Sequence, residues 1–497
     1  MDSNASGSDH NRVRTPMSRP GFGVKGQKIS LCTNHFRVEL ANSADYFFTT
    51  LNGDNSSFNG SGSLTQGSGK RQKHSEKVHE VIKVLDVVLR QHAAKKGCLI
   101  VKQSYYHDDP KNFTDIGGGV FVWKGLHSSF CPTQNGLTLN MDTSLTTILK
   151  PGPVLDFLVA NQNVKNTSCI DWSKARRVLK NLKIKIFPSN RESRITGVSE
   201  HVSQRYTKEL TLPQRLMLIE SSRQRPLEKM TMLTEARKTN KYATEPMLQS
   251  CGVSIASTLT QVEGRVLAAP KLIVGRGEEA VPRAGFWNLN GKLGGLHSRL
   301  AIEWNSPALF KKPTIIFGMD VCHGSTGLHD FPSIASGVIS GFFSTSGKVK
   351  PSHVIIFRDG VSESQFKQVL NVEFHQILEA CKHLDSDWHP KFTIIIAQKR
   401  HHTKFFQSRQ QHQNVPPGTV VDSKICHPHY YDFYMCPHAA YAGTARPIHY
   451  HVLLDEIGIS SDELQEYQKC TKAISIGKII SCPLDNPTKA GIDLITA

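Results

Sequence analysis

The sequence predicts an α/β fold in the carboxyl-terminal part of the chain, preceded by α+β segments. The first observation is a set of continuous apolar runs at residues 313–320, 333–343, 352–360 and 391–398, with one long helical stretch at 363–384 between the last two. Such runs are typical of strands that are buried on both faces of a sheet. The second is that the strand-like runs upstream alternate with amphipathic helices. Ligands of such sheets usually bind at the carboxyl ends of the strands.

The first elements follow from hydrophobic periodicity. Residues 28–40 alternate apolar and polar side chains, the pattern of a half-buried strand. From residue 78 the spacing changes to three and four, which predicts an amphipathic helix that ends before Gly97. Residues 1–20 and 52–77 are polar and of low complexity, and we expect them to be disordered or linker.

The middle of the chain reads as strands followed by charged helices. Extended runs at 98–106, 117–130 and 136–149 precede helical segments at 153–163 and 171–182. The second of these helices carries a basic surface that either contacts phosphates or is simply a solvated helix face. Residues 204–250 are helical and strongly charged, and residues 262–274 are again extended.

The charge of the chain indicates a polyanionic partner. The 497 residues contain 60 Lys plus Arg against 42 Asp plus Glu, a formal net charge of +18, and a length that favours about three domains. Nucleic acid is the most common partner for such an excess, although a generally basic soluble protein is the alternative. There is no apolar stretch of membrane-spanning length and no secretory signal pattern, so we expect a soluble intracellular protein with no membrane partner.

Two aspartates end two of the apolar runs. If the strands that precede Asp320 and Asp359 are neighbours in register, their carboxylates lie about 5 Å apart. Carboxylates that close favour a shared Mg²⁺ or Mn²⁺ ion, as in two-metal phosphodiester cleavage. The alternative is that both aspartates only form turns. A basic cluster at 399–404 follows the third strand, where a phosphate of a nucleic acid would approach.

Several longer motifs resemble the Argonaute family. GMDVCHGS, IIFRDGVSESQF, IIIAQKRHHTKFF, NVPPGTVVD and YDFYMCPHAAYAGTARPIHYHVLLDE are similar to the PIWI domain, whose fold is RNase H-like. KGQKISLCTNHFRVEL resembles the start of the N domain. GGGVFVWKGLHSSFCPTQNGLTLNMDTSLTTILKPGPVLDFL and CGVSIASTLTQVEGRVLAAPKL resemble the first and second linkers. These motifs are most similar to those of plant Argonautes, particularly the clade that serves heterochromatic small RNAs.

The resemblance implies a domain order. We expect a disordered start and truncated N-domain remnant at 1–77, the end of the N domain and linker 1 at 78–160, and a PAZ remnant at 161–203. Linker 2 follows at 204–290 and a truncated PIWI domain at 291–497. The MID domain, which binds the guide's 5′ phosphate in the family, has no counterpart in the sequence between linker 2 and PIWI.

The resemblance also implies roles for individual residues. Asp320 and Asp359 match the catalytic, metal-binding aspartates of the family. The family's guide-phosphate positions are matched by Lys399, Lys404, His438, Arg446, Lys469 and Ser475. The implied cofactor is Mg²⁺ or Mn²⁺. The implied partners are a small guide RNA, complementary RNA and silencing proteins with GW/WG repeats, in the nucleus or the cytoplasm.

The sequence also departs from the family. The glutamate and the last histidine of the four catalytic ligands have no counterpart; neither Glu363 nor His449 and His451 match those positions. We therefore predict an RNA-binding Argonaute of small-RNA silencing that does not cleave RNA. The alternative is an interfering or non-functional fragment, or the product of an incomplete gene model, that acts at most as a protein-interaction module.

Overall fold

The structure is a computed structural model, and it describes sixteen segments of the chain. These are residues 13–40, 68–149, 152–180, 183–186, 191–194, 201–202, 210–269, 272–273, 279–280, 299–300, 312–319, 348–410, 412–440, 442–473, 478–479 and 492–496. The predicted strand at 333–343 lies outside them. No helix within these segments has the length and apolar character that crossing a membrane requires.

The strands cover most of the positions that the apolar runs predict. In chain order they are β1 (Gln27–Leu40), β2 (Leu99–Val101), β3 (Ser104–Tyr106), β4 (Phe113–Asp115), β5 (Val120–Thr133), β6 (Gly136–Leu149), β7 (Gly152–Pro153), β8 (Lys183–Ile186), β9 (Arg191–Arg194), β10 (His201–Val202), β11 (Val253–Val266), β12 (Leu272–Ile273), β13 (Glu279–Ala280), β14 (Arg299–Leu300), β15 (Thr314–Met319), β16 (His353–Asp359), β17 (Lys391–Gln398), β18 (Phe405–Gln407), β19 (Thr419–Val421), β20 (Tyr431–Cys436), β21 (Ile448–Asp455), β22 (Lys478–Ile479) and β23 (Ile492–Thr496).

The described residues contain nine α-helices and four short 3₁₀ helices. They are α1 (Ser68–Lys95), α2 (Val154–Gln162), α3 (Trp172–Leu179), α4 (Leu212–Ser222), α5 (Pro226–Asn240), α6 (Pro246–Ser250), α7 (Phe366–Gln368), α8 (Phe374–Leu384) and α9 (Ser461–Ala473). A π-helix, Val369–Glu373, joins α7 to α8. The sequence predicts one continuous helix there, and the π-helix inserts a wider turn into it.

One sheet of sixteen described strands connects both halves of the chain. Its order is β2-β3-β5-β6-β1-β11-β19-β20-β21-β17-β16-β15-β23-β22, with β18 on β1 and β4 on β5. Strands β15, β16 and β17 are parallel, and the pairs around them are antiparallel. The amino-terminal strands therefore join the carboxyl-terminal α/β layer through β1, β11 and β19.

The parallel strands are buried on both faces, as their apolar runs predict. Ile315, Val354 and Ile356 pack against the segment from α7 to α8 in one core. Ile316 and Ile355, the alternate positions, pack with side chains of β20, β21 and α9 in a second core. This confirms the predicted α/β class. A third core holds α1 against β5, β6 and β11.

The ordered segments extend further than the polar composition suggests. Helix α1 begins at Ser68, inside the stretch that we expect to be linker, and residues 13–20 contact the carboxyl-terminal sheet instead of being disordered. Composition misses residues 13–20 because their partners lie about 400 positions away in the sequence.

Candidate functional site

The parallel pairing of β15 and β16 has the register that the aspartate hypothesis requires. Met319, the residue before Asp320, pairs with Arg358, the residue before Asp359. Asp359 lies at the carboxyl end of β16, with its side chain a quarter exposed. Gly360 follows in the left-handed conformation with φ of +79°, which lets the chain turn away from the carboxylate. Asp320 lies outside the described residues, so its pairing with Asp359 stays a prediction.

Lys399 reaches the same edge of the sheet from β17. Its Nζ lies 2.8 Å from Oδ2 of Asp359. The structure therefore brings a predicted phosphate ligand and a predicted metal ligand together as an ion pair. The ammonium group of Lys399 neutralises the Asp359 carboxylate. A phosphate would therefore compete with Asp359 for Lys399, and a dication would compete with Lys399 for Asp359.

Arg358 anchors the carboxyl end of β16 to the π-helix. Its guanidinium donates two hydrogen bonds to Glu373 of the π-helix, Nε to Oε2 at 2.8 Å and Nη2 to Oε1 at 3.0 Å. Nη1 also donates to the carbonyl oxygen of Asp359. This fork geometry orients the backbone that carries the Asp359 side chain.

The basic segment that follows β17 is anchored by a buried carboxylate from β6. Asp142 Oδ1 lies 2.7 Å from Lys229 Nζ of α5, and Oδ2 lies 3.3 Å from Lys404 Nζ and 3.5 Å from His402 Nδ1. We call these four residues the Asp142 cluster. The side chains of Asp142, Lys229 and Lys404 are all at least 90% buried. Three distant segments of the chain meet at one carboxylate here.

Electrostatics within the Asp142 cluster favour the charged carboxylate. Burial alone would raise the pKa of Asp142, but the hydrogen bond from His402 and the charges of Lys404 and Lys229 outweigh it and hold that pKa well below its usual value. Burial lowers the pKa of Lys404, and Asp142 opposes that change. The neighbouring ring of His127 stacks on His402, with centroids 3.5 Å apart.

A polar seam docks the same basic segment onto β1. Asn34 Nδ2 donates to the carbonyl oxygens of Met141 and His402, and Lys404 N donates to Asn34 Oδ1 at 2.6 Å. The ring of His35 lies between the hydroxyls of Thr138 and Thr403, 2.9 Å from each. The backbone after β17 is therefore held by the amino-terminal strands, and not by its own sheet alone.

Buried histidine makes this seam sensitive to acid. Burial, followed by the charge of His401, lowers the pKa of His35 to about 3. Since the unfolded chain takes up the proton near pH 6.5, the contribution of His35 is complete above that pH and is lost as pH falls toward 3. Between pH 7 and pH 5 we expect the free energy of unfolding to fall by about 2 kcal/mol from His35 alone.

Urea denaturation at pH 7 and pH 5 measures this effect. The His35→Gln chain, which keeps polar atoms but does not titrate, is expected to show a smaller difference between the two pH values. His375→Gln, at an exposed position of α8, serves as the matched control and is expected to behave like the unchanged chain. Equal pH dependence in all three chains would contradict the assignment.

The remaining predicted phosphate ligands are distributed differently. The side chains of His438 and Arg446 are exposed, as a phosphate contact requires. Lys469 lies in α9, but its side chain lies outside the described residues, as does Ser475. Lys404, in contrast, is buried with its ammonium on Asp142. The sequence analysis missed Asp142 and Lys229, because nothing in the local pattern of either one distinguishes it from a surface charge.

One further trio in the described residues has the residue types and spacing of a metal site. Asp432, His449 and His451 place one ligand atom each within 4.8 Å of the others, all buried. The carboxylate already accepts hydrogen bonds from Arg19 Nη2 at 2.7 Å, His449 Nε2 at 2.7 Å and the backbone N–H of His427. Because Arg19 neutralises Asp432, a dication would leave net positive charge in a buried place. The trio is better described as a hydrogen-bonded network.

Comparison with known proteins gives matches along most of the chain. The Piwi domain model matches residues 330–483, the Argonaute linker 1 domain matches 100–150, and the Argonaute linker 2 domain matches 228–274. These matches lie within the corresponding predicted ranges, and the exact domain boundaries stay predictions.

Relatives of high coverage agree with these domains. Protein argonaute 4 of Arabidopsis thaliana is 34% identical over 817 positions that cover 93% of this chain and 88% of the relative. Protein argonaute 4A of Oryza sativa subsp. japonica is 37% identical and covers 82% of this chain and 72% of its own length.

Solved structures show the same fold. The crystal structure of Kluyveromyces polysporus Argonaute with a guide RNA aligns with a TM-score of 0.66 at 14% identity, over 92% of each chain. Drosophila Piwi aligns with a TM-score of 0.59 at 14% identity, over 89% of this chain and 93% of that chain. With the linker domains, the Piwi-like α/β sheet and relatives of this identity, the chain belongs to the Argonaute family, in the plant argonaute 4 group.

Proposed function

We propose that this chain binds a small single-stranded RNA as a guide and pairs it with complementary RNA in gene silencing, without cleaving that RNA. The observation that carries the proposal is the edge of the parallel sheet, where Lys399 lies beside a basic segment fixed by the Asp142 cluster. Cations at such an edge contact backbone phosphates and fix the strand's position without reading its bases.

Different residues of the chain have different roles in the proposed phosphate binding. Lys399 and Arg446 are exposed and supply charge for phosphates. Lys404 and Lys229 together place two cationic side chains on the single carboxylate of Asp142, and Lys404 interacts electrostatically with Arg446. His438, Lys469 and Ser475 complete the proposed set. GW/WG-repeat silencing proteins are the protein partners that we propose by family.

Divalent metal is the expected cofactor of a Piwi domain, since RNase H-like folds generally use one. A carboxylate such as Asp359 is the right kind of ligand for Mg²⁺ or Mn²⁺. The ammonium of Lys399 lies on Asp359, so a dication at this carboxylate would have to displace it. Asp320, the second expected ligand, lies outside the described residues. We therefore assign positioning, and no cleavage step, to these residues.

The length of the alignment supports the loss of catalytic ligands. The 817 aligned positions of the Arabidopsis relative exceed the 497 residues of this chain, so at least 320 of them are gaps in this chain. We propose that the glutamate and histidine ligands fall among the missing positions, together with the MID domain and the core of the PAZ domain.

Cleavage tests the catalytic part of this proposal. Purified chain, loaded with a guide and given a fully complementary RNA in the presence of Mg²⁺, is expected to yield no cut product above the background without protein. A single cut opposite the guide that disappears in the Asp320→Ala chain would overturn it.

Binding tests the remaining part. A fluorescent single-stranded RNA of small-RNA length is expected to bind with the same affinity whether or not it carries a 5′ phosphate, because the proposed contacts are to the backbone. A requirement for the 5′ phosphate would contradict the proposal, since it would demand an end pocket.

The alternative role as a protein-interaction module predicts no RNA binding at all. One observation favours that role, namely the apolar side chains Leu212, Leu216 and Ile219 that α4 exposes.

A further inference from the structure

Residues 13–26, which we call the N-terminal arm, lie along the carboxyl-terminal domain as an extended segment. The arm precedes β1 and makes a single β-bridge, Ser18 to Tyr430. Its contacts with Asn371, Asp432 and Asp462 are individual hydrogen bonds or ion pairs with residues more than 350 positions away. We call the surface that receives it the arm seat.

The arm seat recognises the backbone of the arm at two points. Met17 donates its N–H to the carbonyl oxygen of Leu453 at 3.0 Å and accepts the N–H of Tyr431 at 3.2 Å. The amide side chain of Asn371 accepts the N–H of Arg14 at 2.7 Å and donates to the carbonyl oxygen of Arg14 at 2.9 Å. Paired backbone bonds of this kind are how extended peptides are held by protein surfaces.

Charge at the arm seat complements charge on the arm. Arg19 pairs with Asp432 at 2.7 Å, with side chains 10% and 0% exposed. Lys25 pairs with Glu466 at 2.9 Å, and Asp462 accepts the backbone N–H groups of Val24 and Lys25. The guanidinium of Arg14 lies over the ring of Phe374, 5.2 Å from its centroid. Basic side chains on the arm thus meet acidic or aromatic partners on the seat.

The arm seat also connects to the edge that carries Asp359. Asn371, whose side chain is hydrogen-bonded to the backbone of Arg14, lies in the π-helix Val369–Glu373. Glu373 of the same π-helix makes the two hydrogen bonds to Arg358 that orient the end of β16. Helices of this type are rare and often lie at functional sites. One five-residue turn therefore contacts the arm on one side and the Asp359 strand on the other.

We propose that the N-terminal arm is a built-in peptide ligand, and that the arm seat is a recognition site for an extended segment with arginines five positions apart. The occupant is residues 13–26 of this chain. Occupancy of the seat holds the π-helix and, through Glu373 and Arg358, the end of β16. This inference goes beyond the proposed function, because it requires neither RNA nor metal.

A peptide supplied in trans tests the recognition step. The probe is a fluorescein-labelled peptide of residues 13–26, VRTPMSRPGFGVKG, added to full-length chains in a fluorescence anisotropy titration. The Arg19→Ala chain has a weakened arm and an unchanged seat, so we expect the peptide to bind it at least tenfold more tightly than it binds the unchanged chain. The same peptide with Arg19→Ala is expected to bind neither chain.

A second variant covers the case in which Arg19→Ala impairs folding. Arg14→Pro, at an exposed position, removes the N–H that Asn371 accepts and leaves the buried ion pair in place. We expect the peptide to bind this chain more tightly than the unchanged chain as well. Equal peptide binding to all chains, or none to both variants, would overturn the proposal.

Hydrogen exchange tests the connection to β16. Loss of the arm contact in the Arg19→Ala or Arg14→Pro chain is expected to raise amide exchange in residues 354–359 and 369–373, and saturating peptide is expected to restore the protection. Arg409→Ala, an exposed arginine outside the arm, is the matched control. Unchanged exchange in both segments in both arm variants would refute the connection.

Discussion

Replacement of Asp142 by alanine is expected to lower the free energy of unfolding by about 3–5 kcal/mol, because it leaves two buried ammonium groups without their counter-charge. Lys229 and Lys404 both lie on this carboxylate, and each is at least 90% buried. An exposed ion pair of the same chemistry, such as Lys399 with Asp359, contributes at most about 1 kcal/mol. Urea denaturation followed by tryptophan fluorescence measures the difference.

The neutral isostere and a surface control separate charge from volume. Asp142→Asn keeps the shape and removes the charge, so we expect a loss close to that of the alanine chain. Asp108→Asn changes an exposed carboxylate and is expected to change stability by less than about 0.5 kcal/mol. If Asp142→Asn proves as stable as the unchanged chain, the carboxylate is not the counter-charge that the geometry indicates.

The pH dependence of the same chains gives an independent check. Since the pKa of Asp142 is held well below its usual value in the folded state, its contribution is complete above about pH 5 and is lost as pH falls through and below about 4. The stability difference between the unchanged chain and Asp142→Asn is therefore expected to shrink on acidification. A constant difference down to pH 3 would contradict this.

The parallel core is the part of the fold that the sequence predicts best. Runs such as IIF in β15 and VIIF in β16 are apolar at every position, which is typical of a strand covered on both faces. The same runs locate Asp359 at a strand end, where the structure places it. These predictions succeed because burial on two faces is a local property of the sequence.

The contacts that organise the candidate site are not local. Asn34 and Lys404 are hydrogen-bonded although they lie 370 positions apart. Asp142 forms ion pairs with cationic side chains from two other segments. Nothing in the sequence near Asp142 marks it as buried and paired instead of solvated. The π-helix is missed for a related reason. Asn371 and Glu373 fit an ordinary amphipathic helix, and their partners lie outside it, Arg14 at 357 positions and Arg358 at 15 positions away.

Affinity for single-stranded RNA is expected to fall about 20- to 50-fold when salt rises from roughly 50 to 200 mM, because three or four phosphate contacts give a logarithmic slope of about −2 to −3. Replacing Lys399 and Arg446 together by alanine removes two such contacts and is expected to lower the slope by about 1.4. The loss should be the same for RNAs of different sequence, because phosphate contacts do not read bases. Anisotropy titrations at four salt concentrations measure the slope.

The control replaces Lys28 and Lys111, two exposed lysines far from the sheet edge in sequence, and keeps the same net charge as the test chain. If both double variants change the slope equally, binding depends on overall charge and not on this edge. A slope near zero in the unchanged chain would instead remove the phosphate contacts on which the proposed function depends.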